Sequence, residues 1–223
     1  MEISSSPELS LDAPWAITED GFAVIDRWLT SIDAETIVEC GSGISTVRLA
    51  IENPARRIFS IEGDKKYSDQ TRNLLERNGV LSQVKIMTTA IGWRIIGLKL
   101  FKTYREIFAN KNIDAVIVDG PPGGYFRGRE GALRLAIPQL RDGALIFIDD
   151  YSRPGEKEAI ENILRIYPLI TIEKIYREGH GIAVLRQQGK KIRYSALLSD
   201  LLKNWLAFLI FLRNRVINAI SKA

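Results

Sequence analysis

The chain has one cysteine and one histidine in 223 residues. A single thiol, Cys40, can form no intrachain disulfide, which excludes a secreted scaffold stapled by such bonds. No run of about 18 uninterrupted apolar residues occurs, so no ordinary membrane-spanning helix is expected. The first 15 residues carry Glu2 and Glu8 but neither Lys nor Arg, so they do not read as a signal peptide, and a cytoplasmic location is expected. Internal repeats and low-complexity linkers are absent as well. The body of the chain also lacks a strong charge of one sign. Of 31 Lys/Arg and 27 Asp/Glu, residues 189–223 hold seven and one, leaving 24 and 26 for the rest. A near-neutral body argues against a nucleic-acid groove across it, and no nucleic-acid partner is expected.

What is present is an ordinary globular composition, 46% hydrophobic and 26% charged, at a length that fits one domain. Glu19 to Thr30 reads as an amphipathic helix with Thr18 as its N-cap. Short apolar, β-branched runs follow at 36–40, 57–61, 84–88, 114–118, 144–149, 169–175 and 181–185. Helical patterns fill the gaps at 44–52, 65–77, 101–110, 128–138 and 156–167. Alternating buried strands and helices predict an α/β, Rossmann-like sheet of seven mostly parallel strands with helices on both faces. The last two runs are joined by Arg177–Gly181, too short for a crossover helix, and should form a C-terminal antiparallel hairpin. The expected organisation is a loose segment 1–14, a domain 15–188 and a basic amphipathic C-terminal helix within 189–223.

The most informative stretch is Ile37-Val38-Glu39-Cys40-Gly41-Ser42-Gly43, a strand running into a carboxylate, a Gly-x-Gly turn and a helix start. Glu62 closes the next apolar run. Gly41 and Gly43 let the backbone approach a ligand and present N–H groups at a helix N-terminus. An acidic side chain about 20 residues further on can take two ribose hydroxyls. Glu39, Gly41, Ser42, Gly43 and Glu62 are therefore candidate cofactor-binding residues; otherwise the glycines merely close a tight turn between two surface acids. A dinucleotide fingerprint would want a small residue where Thr46 stands, and Glu39 would repel a pyrophosphate. A positively charged cofactor, S-adenosylmethionine, fits better than NAD.

A second constellation lies at two later strand ends. Asp119 closes the run 113–119, and Asp149-Asp150 closes the run 144–148. Neighbouring parallel strands would bring the three carboxylates to one edge, where open α/β sheets bind ligands. Clustered carboxylates call for a cation, and oxygen ligands suit a divalent ion such as Mg²⁺. The alternative is that Asp119 caps a turn and Asp150 faces water. Asp119 is also a candidate cofactor contact, and all three are candidate catalytic groups. Between them, Gly120-Pro121-Pro122-Gly123-Gly124-Tyr125-Phe126-Arg127-Gly128-Arg129 reads as a substrate lid offering Tyr125, Arg127 and Arg129, or as a plain surface connection. His180 sits between two glycines at the hairpin tip, either an incidental turn residue or a general base contacting substrate. Trp93 either covers an adenine ring or packs in the core.

The tail is a separate matter. Residues 205–212 are eight apolar residues in a row, preceded by four leucines and followed by Arg213 and Arg215. One helix over about 194–221 would be too polar to span a membrane and too apolar to stand free in water. It suits peripheral contact at the inner face of a membrane, a homodimer contact, or packing on its own domain.

Residues 15–186 resemble a class I S-adenosylmethionine-dependent methyltransferase, on Glu39-Cys40-Gly41-Ser42-Gly43 and Glu62. Val118-Asp119-Gly120-Pro121-Pro122-Gly123 and Phe147-Ile148-Asp149-Asp150 resemble the small-molecule O-methyltransferases of the catechol and caffeoyl-coenzyme A type, as does Thr18-Glu19-Asp20-Gly21. The resemblance implies a divalent metal held by Asp119, Asp149 and Asp150. The chain departs from that pattern in having Asp149-Asp150 for Asp-Asn and no lysine just after Asp119, which brings it nearer to loosely characterised bacterial relatives. The expectation is methyl transfer from S-adenosylmethionine to a small-molecule or glycan acceptor at oxygen. The alternative is a catalytically silent protein of this fold that binds a membrane or partner.

Overall fold

The computed structural model describes residues 16–108, 112–177, 179–190 and 204–215. The N-terminal segment 1–14, and the parts of the expected C-terminal helix at 194–203 and 216–221, lie outside the described residues.

The chain opens with α1 (Glu19–Ser31), whose N-cap Thr18 accepts from the Gly21 amide, as its sequence position predicts. Then follow β1 (Thr36–Cys40), α2 (Ile44–Glu52), β2 (Arg57–Glu62), α3 (Lys65–Arg77) and β3 (Val84–Thr88). After them come β4 (Ile91–Ile96), β5 (Lys99–Tyr104), β6 (Ile113–Val118), α4 (Gly128–Ala136) and β7 (Leu140–Asp149). The domain ends with α5 (Pro154–Ile166), β8 (Ile170–Tyr176) and β9 (Ile182–Gln187). Seven strands form one sheet in the order β3-β2-β1-β6-β7-β9-β8, parallel except where β9 runs antiparallel to β7 and β8. This is the expected Rossmann-like architecture with its C-terminal hairpin.

The strands bury both faces. On one side Ile37, Ile58, Ile117 and Phe147 meet α1, α2 and α3 through Ile25, Leu29, Val47 and Leu75. On the other, Val38, Val116, Ile146 and Leu185 meet α4 and α5 through Leu133, Ala136, Ile160 and Ile163. Successive strand residues point to opposite faces, so two-sided burial demands the near-continuous apolar runs seen in the sequence.

One element differs from expectation. Of the segment read as a helix at 101–110, residues 101–104 are instead in the second strand of a separate β4–β5 hairpin, paired from Ile91↔Tyr104 to Ile96↔Lys99. Residues 105–108 are neither helix nor strand, and 109–110 lie outside the described residues. Phe101 and Tyr104 have the three-residue spacing of a helix face. Both are buried, however, from a strand, with Gly97 at φ 64° turning the hairpin. The hairpin packs beside α4 and stands in the connection between β3 and β6.

Residues 204–215 form a helix that packs on its own domain, one of the three options the sequence left open. Over 204–215, Asn204, Ala207, Phe208 and Phe211 turn inward at helical spacing. The buried Asn204 amide accepts from the Leu100 N–H at 3.1 Å and donates to the Leu100 carbonyl at 3.4 Å, so it pairs with the backbone of β5. Phe208 and Phe211 enclose Trp93 and Phe126, with ring centroids 5.1–6.3 Å apart. Trp93 is thus neither a core residue nor at the cofactor loop, but part of the seat of this helix. Among the described residues no helix is long and apolar enough to cross a membrane.

Candidate active site

The sheet register aligns the candidate residues. Cys40 lies opposite Ile61 of β2 and Val118 of β6, and Val118 lies opposite Ile148 of β7. Gly41, Glu62, Asp119 and Asp149 therefore leave the sheet side by side at its C-terminal edge. The Cys40 carbonyl accepts from the amides of Asp119 (3.1 Å) and Gly120 (2.5 Å), joining the loops after β1 and β6.

The Gly-x-Gly loop is braced from both sides. The Glu62 carboxylate accepts from the Ser42 amide at 3.0 Å, the Ser42 hydroxyl at 2.9 Å and the Asp64 amide at 2.9 Å. Glu39 is buried beneath the loop at 1% exposure, accepting from Ser45 Oγ (2.6 Å) and Thr46 Oγ1 (2.5 Å). Burial is the main reason its carboxyl is pushed up to about 7, against the opposing pull of those two hydroxyls. Glu39 therefore holds the start of α2 and does not line an open groove; the sequence placed it on the ligand. Ser45 and Thr46, its partners, were the missed residues, and their signal was a pair of hydroxyls six and seven residues after a strand-ending acid.

Gly43 is the position that asks for a ligand. Its φ of 170° is extended backbone open to any residue, and a Cβ there would meet nothing within 4 Å. Neither conformation nor packing requires glycine at the head of α2, whereas close approach of a bound group to the backbone N–H groups would. Gly41, at φ 107°, has a conformational reason of its own.

At the ends of β6 and β7 the structure brings Asp119, Asp149 and Asp150 together, with Arg129 among them. Arg129 comes from the first turn of α4 and is 6% exposed. Its Nη2 lies 3.3 Å from Asp119 and 2.9 Å from Asp150, and its Nη1 lies 3.5 Å from Glu156. It also donates to the carbonyl oxygens of Asp149 (3.1 Å) and Pro121 (3.5 Å). Arg153 adds a second contact to Asp150 at 2.7 Å. Burial pushes the Asp119 carboxyl up to about 8, with the Asp149 and Asp150 carboxylates adding to the rise and Arg129 opposing it. Burial also raises Asp149, followed by the Asp150 carboxylate beside it.

A divalent metal does not fit this arrangement, because a guanidinium already bridges Asp119 and Asp150 where the ion would have to sit. Asp149, Asp150 and His180 each offer an atom within 4.8 Å of the others. However, Asp150 is already shared between Arg129 and Arg153. His180 does reach the site from the β8–β9 turn, its Nδ1 3.6 Å from Asp150.

The remaining lid residues, Tyr125 and Arg127, line the neighbouring cleft and make contacts of their own. Arg127 pairs with Glu130 (2.9 Å) and Glu158 (2.5 Å), and Tyr125 lies under the Lys102 ammonium at 5.2 Å. Behind them a cleft of about 370 Å³ runs from Arg129 and Glu156 past Pro121 to Ile210 and Phe211 of the C-terminal helix. The helix thus forms part of the wall of the cleft that Arg129 and Glu156 also line, a role that nothing in its sequence showed.

Residues 38–151, just over half of the chain, match the family model described as a methyltransferase domain. The chain belongs to this family. Among solved structures it is similar to the O-methyltransferase TomG from Streptomyces achromogenes, crystallised with SAM. The two share 16% identity, with 78% of this chain and 82% of that one covered, at a TM-score of 0.60. The O-methyltransferase from Bacillus cereus, in complex with SAH, gives 16% identity over 80% and 84% at 0.60. The SAH-bound methyltransferase PaMTH1 from Podospora anserina gives 15% over 75% and 78% at 0.57. These likenesses concern the fold. No curated protein matches the sequence.

Proposed function

We propose that this methyltransferase-domain protein transfers the methyl group of S-adenosylmethionine to a hydroxyl of a small molecule. The observation that carries the reading is the open cradle at Gly43, bordered by Ser42 and by Glu62 at the end of β2. Relatives crystallised with SAM or SAH support the choice of cofactor. S-adenosylmethionine supplies an electrophilic methyl group. The chain would hold it with the backbone of Gly41, Ser42 and Gly43, and with the remaining acceptor position of the Glu62 carboxylate on a ribose hydroxyl. A carboxylate has about four acceptor positions, and Ser42 and Asp64 use three. Asp119 stands next in line along the sheet edge, where it receives the proton of the acceptor hydroxyl. Its upward shift to about 8 makes its ionised form an unusually good base for a carboxylate. Positioning of the two reactants accounts for the remaining acceleration.

The cleft beside Arg129 takes the acceptor. One end is polar, at Arg129 and Glu156, and the other is apolar, at Ile210 and Phe211, which suits a hydroxylated molecule with an apolar portion. The outer face of the 204–215 helix exposes Trp205, Leu206, Leu209 and Leu212, and begins beside Leu100, opposite which the exposed Ile95 stands. Together with seven Lys/Arg against one acid in 189–223, this face fits an anionic lipid surface.

Calorimetric titration with S-adenosylhomocysteine tests the assignment. Glu62→Ala should weaken binding about tenfold or more, or about 1.4 kcal/mol, while leaving a folded protein. Unchanged affinity would remove Glu62 from the ribose.

A further inference from the structure

We propose that Arg129 permanently occupies the cation position of the carboxylate cluster, so that the protein positions Asp119 with a guanidinium and binds no divalent metal there. The inference builds on the methyltransferase reading for the role of Asp119. A divalent ion needs oxygen ligands at about 2.0–2.6 Å, and two of the carboxylates it would draw on, Asp119 and Asp150, are already spanned. Nη2 of Arg129 lies 2.9 Å from Asp150 and 3.3 Å from Asp119, within the space between them. A guanidinium stays protonated at any working pH, so it does not leave by neutralisation. Nor can it readily swing away. It is 6% exposed, its backbone belongs to the first turn of α4, and the carbonyls of Pro121 and Asp149 hold its other N–H groups. An ion forced in beside it would face the repulsion of Arg129 and of Arg153, 2.7 Å from the same Asp150.

The fork geometry also gives the arginine a positioning role. With one arm spanning Asp119 and Asp150 and the other reaching Glu156, Arg129 fixes the direction of the Asp119 carboxylate at the sheet edge. A lysine would supply charge but not that fork.

Titration with Mn²⁺, reading the free ion by electron paramagnetic resonance, decides the matter without any need for turnover. The wild-type protein should show no saturable site at millimolar metal. Arg129→Ala and Arg129→Met should each acquire one, lost again when Asp150→Asn is added. A saturable wild-type site that Asp150→Asn removes would overturn the proposal, as would folded Arg129 variants that bind no Mn²⁺. If both variants fail to fold, the wild-type titration still decides. Metal occupancy and S-adenosylhomocysteine binding are separate readouts, so the methyltransferase reading can fail while this inference stands, and the reverse.

Discussion

Single residues in this protein do work that their positions in the sequence do not announce. Glu39 is the last residue but one of β1, just before a Gly-x-Gly turn, and looks like a ligand contact, yet it is buried and bonded to Ser45 and Thr46. Its carboxyl titrates near 7 in the folded protein, against about 4.5 when exposed. A carboxyl raised in this way favours folding fully below its unfolded value and loses that contribution as pH climbs through 7. Glu39→Gln keeps one acceptor oxygen, faces the other hydroxyl with an amide N–H that the hydroxyl can accept, and removes the titration. Relative to the wild type it should gain up to about 3 kcal/mol of stability between pH 4.5 and 8, seen in thermal melts. Parallel melting curves across that range would show that Glu39 carries no such load. Cys40, beside it, is buried with its thiol pushed up to about 12, burial being the main cause, so it is a packing group. Arg129 is the third case. The sequence offered it to an anionic substrate; the fold turns it inward onto carboxylates that the sequence read as a metal site or as a turn cap and a solvent-facing acid.

The elements were far more legible than the side chains. Burial on both faces forces continuous apolar runs, so β1, β3, α2 and α3 stand where the pattern puts them. Short connections place the last two strands antiparallel. The β4–β5 hairpin escaped because Phe101 and Tyr104 imitate a helix face, while Trp93 and Ile95 stay exposed in a strand only half covered. Ion pairs between elements were invisible too. Glu130 in α4 is 2% exposed and accepts from Arg134 (2.6 Å), Arg127 (2.9 Å) and Asn162 of α5 (3.0 Å), with Lys99 of β5 at 3.9 Å. Glu130→Ala strips buried Arg134 of its carboxylate, which costs about 3–5 kcal/mol. The melting temperature should fall by roughly 10 °C. A drop of a degree or two would mean that water replaces the network.

Across the whole molecule, charge and apolar surface are segregated. The net positive charge lies in the tail, with seven Lys/Arg against one acid over 189–223, and the 204–215 helix turns one face to the domain and the other outward. Amphipathicity showed that this segment needs cover, but not that Phe208 and Phe211 would find it on Trp93 and Phe126. The remaining outward face predicts binding to phosphatidylglycerol vesicles, with little to phosphatidylcholine. A Leu206→Glu/Leu209→Glu variant should lose most of that binding without loss of fold. Concentration-dependent dimerisation with no vesicle binding would assign the face to a second copy of the chain.

The proposed methyl transfer depends on a cofactor seated against the head of α2, and calorimetry with S-adenosylhomocysteine on the wild type and Gly43→Ala tests that most directly. A Cβ at Gly43 meets no protein atom within 4 Å and its backbone is extended, so the fold should tolerate alanine, at an N-cap cost of about 0.5–1 kcal/mol. Micromolar binding by the wild type, weakened about tenfold or more in a variant of nearly unchanged melting temperature, is the predicted result. Equal affinity in the two proteins, or no binding by folded wild type, would contradict it.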